Sequence, residues 1–474
     1  MRSYPNINYN QVMKFRLVFL LVSLPLKGLF SILNGLSTQL SNPVLGVLGM
    51  IVWIAWFVTL WLAATSETKI ELKWTLWLSK ISHYSTLILA VIGVIIISFS
   101  LAAKANLIEP DTNSSFVNSL ILTGENSFHY NDSTAMDQQA VTNVLNGKNP
   151  YVAANIVTAM EQVGASLNAI TPLHAGTFAG IFPYPSQAQL TEFWQSAGIT
   201  FDQIRTQIES RFNYPAGSFL LAAPFFLIGL ADMHWVVLIF LIAGLIYAFL
   251  KIPKSRRLIF LVAVAASIEL WGCLVSGDNT VLAFPFIMVG WLLLRERPMF
   301  AMSLIGVAAA TKQTSWFLIP FALILLIRFY GWKYAIAGVA AAAGVFLLLN
   351  LPFFINNPSL WLDSVFAPLK DAMYPFGTGL VVLVSKGFLN IQNPLPFTVL
   401  ELSTLLGGIV WYFFHAKRYP QAGLLLSILP FFFAWRSLNN YFYFVDLVLL
   451  AEILIAERLF PSKAKEQKLV LSAD

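Results

Sequence analysis

Two aspartates, Asp132 and Asp137, stand five residues apart at the head of the stretch DSTAMDQQAVTNVLNGKNPY. A carboxylate there could take a proton from an attacking hydroxyl, which is the work of a general base. Two isolated cations occur further along. Lys312, followed by Gln313, interrupts the apolar stretch from Ala301 to Leu326. A lysine at that depth costs about 2.5 to 3.5 kcal/mol unless it snorkels or meets an anion. Arg436 lies alone in Trp435-Arg436-Ser437-Leu438-Asn439-Asn440-Tyr441, and a guanidinium can hold phosphate oxygens bidentately. Lys312, Gln313 and Arg436 are therefore candidate phosphate ligands.

Each of these residues has a plainer reading. Asp132 or Ser133 is well placed to cap the helix that follows, in which Met136, Ala140, Val141, Val144 and Leu145 recur at helical spacing. Gly147 and Pro150 end that helix. Asp137 fits a solvated polar face, and Lys312 fits a snorkelling side chain. Gly277-Asp278-Asn279 forms a tight turn between apolar segments, where Asp and Asn serve turn chemistry as readily as a ligand. Glu269, about two helical turns earlier, is expected to point into the same cavity as Asp278 and Asn279. The histidines at 83, 129, 174, 234 and 415 are scattered, and no spacing suggests a transition-metal site. Cys273 has no partner cysteine, which excludes an internal disulfide.

The elements that carry these residues are membrane helices. The chain is 58% hydrophobic and 11% charged over 474 residues, a balance that excludes a water-soluble fold of this length. Runs such as Pro43 to Ser66, Ser85 to Ala105, Leu258 to Ser276 and Tyr334 to Phe354 are apolar on every face, so they read as spanning helices and not as the alternating strands of a barrel. The net charge of +6 gives no case for nucleic acid, because in membrane proteins basic residues mark cytoplasmic loops. Lys27 within the first apolar run, and the want of a small-residue cleavage site, argue for a retained helix over a signal peptide.

Basic clusters at Arg2 to Arg16, Lys69 to Lys80, Lys251 to Arg257, Arg295 and Arg297, Arg328 to Lys333, Lys417 and Arg418, and after Glu457 are assigned inside. The stretch Asn106 to Tyr214 carries mostly acidic charge, including Glu109, Asp111, Glu125, Glu161, Glu192, Asp202 and Glu209, and is assigned outside. The expectation is an all-α polytopic membrane protein with about twelve transmembrane helices, both termini cytoplasmic and one long extracytoplasmic loop. Its parts are amino-terminal helices over 1–105, the loop with amphipathic helices over 106–215, a helical core over 216–457 and a cytoplasmic tail over 458–474. Of the apolar stretches Ala216 to Leu230 and Trp235 to Leu250, the sign rule lets only one cross. The loop aromatics, from Phe178 through Phe193 to Phe212 and Tyr214, suit a segment lying on the membrane surface. The sequons at Asn113 and Asn131 matter only in a eukaryotic host.

This order of motifs resembles that of the GT-C membrane glycosyltransferases. The resemblance rests on Asp132 and Asp137 in the first large outer loop, Gly147-Lys148-Asn149-Pro150-Tyr151, Tyr214-Pro215, Gly277-Asp278-Asn279, Ala310-Thr311-Lys312-Gln313, Tyr374-Pro375-Phe376-Gly377, and Arg436 with Tyr441. It runs from Ser85 onward. It departs from the family at Ala216, where a second proline is common, and in the two apolar runs before Ser85.

The resemblance implies a polyprenyl-phosphate-linked sugar as donor, in the manner of the mannosyltransferases, and a lipid, glycan or protein hydroxyl as acceptor. It implies Asp132 as base, with Asp137 as second candidate, and Tyr151 and Tyr214 among the cavity residues. A single base and in-line displacement imply inversion at the anomeric carbon. No cofactor is expected, and a divalent cation is left open. Membrane lipids are the expected surroundings, most simply those of the cell membrane. The rival reading is a secondary transporter or glycolipid flippase, which also needs intramembrane charges. Against it stand the absence of matching halves and a loop of about a hundred residues, a length that is usually functional or disordered.

Overall fold

The computed structural model describes residues 9–66, 73–107, 128–196 and 201–456. Arg2, Lys69, Glu109, Asp111, Glu125, the Asn113 sequon and the tail 458–474 lie outside the described residues. Eight helices among the described residues are long and apolar enough to cross a bilayer: Phe15–Thr38, Pro43–Thr65, Ser79–Lys104, Met233–Lys251, Gln313–Tyr330, Trp332–Asn356, Leu395–His415 and Asn439–Ala456. Lys254–Ala266 and Ile268–Val275, bent by 52°, make a ninth if they form one broken span. The fold is that of an all-α polytopic membrane protein. A count of twelve requires the shorter apolar helices Asn279–Leu293, Pro298–Thr311 and Ala422–Phe433 to cross as well.

Of the two stretches that the sign rule could not separate, Met233–Lys251 has the length of a span and Gly217–Leu227 does not. Asn279–Leu293 is buried along most of its length. It therefore lies inside protein, where a short helix can end at a cavity in place of a headgroup. The break at Ser267 has a packing partner. At Gly93, on the helix Lys73–Lys104, an added Cβ would sit 2.0 Å from the Ala265 carbonyl oxygen, so only glycine allows that helix to run against the break.

The outer layer is built on caps and a few strand-like contacts. Asn131, and neither Asp132 nor Ser133, caps the helix Asp132–Leu145, its side chain accepting from the Thr134 amide. Asn149 caps the turn Pro150–Ala153, and Ser186 with Gln189 forms a capping box on Gln187–Gln195. Antiparallel bridges join Pro172 to Ile208 and Leu173 to Met373. Phe376–Gly377 pairs in parallel with Arg436–Ser437. The outer segments are thereby tied to the end of the chain. Phe178, Phe193 and Phe212 are buried in this layer, so they form its core and do not lie along the membrane surface as expected.

Candidate active site

The helix Asp132–Leu145 docks on the turn before Asn279–Leu293. The Thr134 hydroxyl donates to the Gly277 carbonyl. Gly277 has φ +67°, and a Cβ there would stand 2.7 Å from Thr134 Cγ2, so this turn demands glycine on both counts. The docking presents Asp132 to a small, open-sided pocket that it shares with Met136, Glu209, Arg211 and Tyr214.

Asp132 is half-buried and held from two sides. Its Oδ2 accepts from the Thr171 hydroxyl at 2.7 Å and the Thr171 amide at 3.1 Å, and its Oδ1 accepts from the Ser133 amide at 2.8 Å. Thr171 is fixed in turn, because its carbonyl accepts from the Glu209 amide at 2.9 Å. One short ladder thus sets both acids. Glu209 pairs with Arg436 at 3.3 Å and accepts from the Asn213 side-chain Nδ2. Burial pushes the Glu209 carboxyl above its usual range, although Arg436 pulls it down. Burial would weaken the charge of Arg436, but Glu209, Tyr441 and Asp132 nearby hold its pKa above the ordinary value. Arg211 lies at the mouth, close to half exposed, and donates to the Asp363 carbonyl at 3.3 Å.

A second polar chain runs behind this pocket. Asp137 is fully buried, and its Oδ2 accepts from Asn279 Nδ2 at 3.0 Å. Lys312 Nζ donates to Asn279 Oδ1 at 2.5 Å and sits 4.5 Å from the Tyr214 ring centre. The Ser218 hydroxyl lies beside Asp137 without an aligned hydrogen bond. Burial pushes the Asp137 carboxyl up to about 7, against the downward pull of Ser218, Asn279 and Lys312. Asp278 caps the helix Asn279–Leu293 through the Thr280 amide at 2.8 Å and accepts from Asn440. The turn chemistry and the link to the Arg436 segment are therefore both present.

Other expected site residues fall outside the pocket. Gln313 spends its amide on the carbonyls of Asn213 and Val365, so it ties segments together and has no donor to spare for a phosphate in this arrangement. The Tyr151 hydroxyl donates to the Tyr214 carbonyl at 2.8 Å, while its ring packs among Phe212, Phe219, Phe353 and Trp361. Tyr151 supports Tyr214 and does not line the pocket. Glu269 does not share the cavity of Asp278; it pairs with Lys27 at 3.2 Å and accepts from Ser31. Thr171, Glu209 and Arg211 were missed as site residues. The acid-base pair Glu209 and Arg211 just before Tyr214-Pro215 was a usable signal, whereas Thr171 offered none.

Residues 212–437 match the model of glycosyltransferase family 87, a GT-C-type membrane glycosyltransferase family. This bears out the resemblance drawn from the motifs and makes the chain an integral multi-pass membrane glycosyltransferase. It gives no support to the transporter reading. The matched segment contains Tyr214, Asp278, Asn279, Lys312, Gln313 and Arg436, and begins after Asp132 and Asp137. No curated protein and no solved structure matches the chain.

Proposed function

We propose that the chain moves a hexose from a polyprenyl-phosphate-linked donor to an acceptor hydroxyl on the outer face of the cell membrane, with both termini in the cytoplasm. The observation that carries this reading is Asp132: an oriented carboxylate at a small pocket, beside Arg211 and the Glu209–Arg436 pair. As the acceptor oxygen bonds to the anomeric carbon, Asp132 takes the hydroxyl proton. The bond from that carbon to the phosphate oxygen breaks, its electron pair goes to the departing lipid phosphate, and the carbon inverts. Arg211 and Arg436 stabilise the growing phosphate charge. Lys312 acts from behind Tyr214, adding positive potential without touching the donor. Short helices that end inside protein would admit the lipid tail from the bilayer.

The test is transfer of label from a panel of radiolabelled polyprenyl-phosphate hexoses to membrane extract by the purified, reconstituted protein. Transfer from at least one lipid donor is expected. Transfer only from nucleotide sugars would overturn the donor class.

A further inference from the structure

Outside the pocket, three ionisable side chains meet within the membrane-spanning bundle. Lys27 of the first helix lies 3.2 Å from Glu269 on the broken span and 3.4 Å from both carboxylate oxygens of Asp446 on the last helix. All three are buried or nearly so, with side-chain exposures of 8%, 8% and 1%. The rings of Trp56 and Phe444 stand 5.5 and 5.1 Å from the Lys27 ammonium. Beside the cluster is a small cavity lined by Ser267 at the helix break, Glu269, Lys27 and Asp446. The Ser267 hydroxyl is buried there without a hydrogen-bond partner among the described residues.

With every group ionised, one ammonium and two carboxylates sum to a charge of minus one. An uncompensated charge at this depth is among the costliest arrangements a membrane protein can hold. The break itself adds no net charge, because the carbonyl end of Lys254–Ala266 and the amide end of Ile268–Val275 meet there. A single extra positive charge restores neutrality. We infer that Lys27, Glu269 and Asp446 form a proton-binding site that carries one proton shared between the two carboxyls. A bound metal cation would compete with the Lys27 ammonium for the same carboxylate oxygens, whereas a proton fits between groups that already touch. The Ser267 hydroxyl gives a water in the cavity a polar seat from which to deliver that proton. Among the described residues, the Cys273 thiol, one turn along from Glu269, is a further titratable group close by.

The site joins the first helix, the broken span and the last helix, and Asp446 lies two residues beyond Phe444, which like Tyr443 is in the left-handed region at φ 51°. It needs no part of the glycosyl-transfer reading. Infrared difference spectroscopy of the full-length protein in lipid, read at the carbonyl stretch of a protonated carboxyl, tests it directly. An Asp137→Asn background removes one further buried acid, while Glu209 and Asp278 are common to every sample and cancel in the differences between variants. In that background the cluster is expected to contribute one protonated carboxyl at neutral pH, read as the difference between the unsubstituted cluster and its variants. It should vanish in Glu269→Gln and in Asp446→Asn, and its intensity should double in Lys27→Met, where two carboxyls lose their counter-ion. Should a variant fail to fold, the unsubstituted triad still reports, because its band must disappear on alkaline titration. An unchanged band in both amide variants would overturn the inference. So would a band that emerges only when sodium is replaced by a bulky organic cation, since the missing charge is then a metal ion.

Discussion

Asp132 and Asp137 share one helix and meet opposite fates. Five residues along an α-helix is a rotation of about 140°, so one carboxylate faces the pocket while the other faces the bundle. Asp132 keeps an open side and is steered by Thr171. Asp137 is sealed behind Asn279, with Lys312 one step further on. The difference teaches that an acid in an outer loop becomes a candidate base through what it leaves uncovered. Burial and a nearby cation, taken alone, would have selected Asp137.

The sharpest way to break the comparison is on the pocket side. Arg436→Ala removes a proposed partner of the leaving phosphate and strands Glu209 without its counter-ion, and turnover should fall about 10² to 10³-fold. Arg436→Lys should recover only part of it, because a point charge replaces a fork. Equal activity in all three proteins would remove Arg436 from the chemistry.

On the bundle side the expected effect is on stability. Asp137 has a folded pKa of about 7 against an ordinary 3.8, so the native state keeps a proton that the unfolded chain releases. Its contribution is therefore full below pH 4 and is lost as pH rises through 7, a swing on the order of a few kcal/mol. Asp137→Asn should flatten the fall of melting temperature between pH 4 and 7, and an unchanged slope would contradict the sealed environment. The smallest effect concerns aim. Thr171→Val keeps the backbone amide but deletes the hydroxyl bond to Asp132, worth about 0.5 to 1.5 kcal/mol, so kcat should drop up to about tenfold with donor affinity unchanged. A rise in KM alone would mean that Thr171 contacts substrate.

Much of this was legible in the sequence. The apolar runs announced membrane helices because a bilayer leaves few alternatives, and the Gly277-Asp278-Asn279 turn and Arg436 were visible as isolated polar features in apolar surroundings. What misled was local geometry. Asp137 was placed on the polar face, although Val141 and Val144 follow it at the four- and seven-residue spacings of one stripe. Asn131 was overlooked as a cap because Asp132 and Ser133 beside it are equally good cap residues. Glu269 was assigned by its distance along the chain from Asp278, while its partners Lys27 and Asp446 lie more than 170 residues away in sequence. Lys27 was seen only as a charge that argues against a signal peptide. Long-range pairs of this kind have no periodicity to betray them, and the same holds for Thr171.

The central claim is that Asp132, and not Asp137, takes the proton. Single-turnover transfer should be measured for Asp132→Asn and Asp137→Asn at saturating donor, with donor binding measured on the same samples. The account predicts a loss of about 10² to 10⁴-fold for Asp132→Asn with donor still bound, and a rate close to the unsubstituted protein for folded Asp137→Asn. A full rate in Asp132→Asn, or a collapse confined to Asp137→Asn, would contradict it.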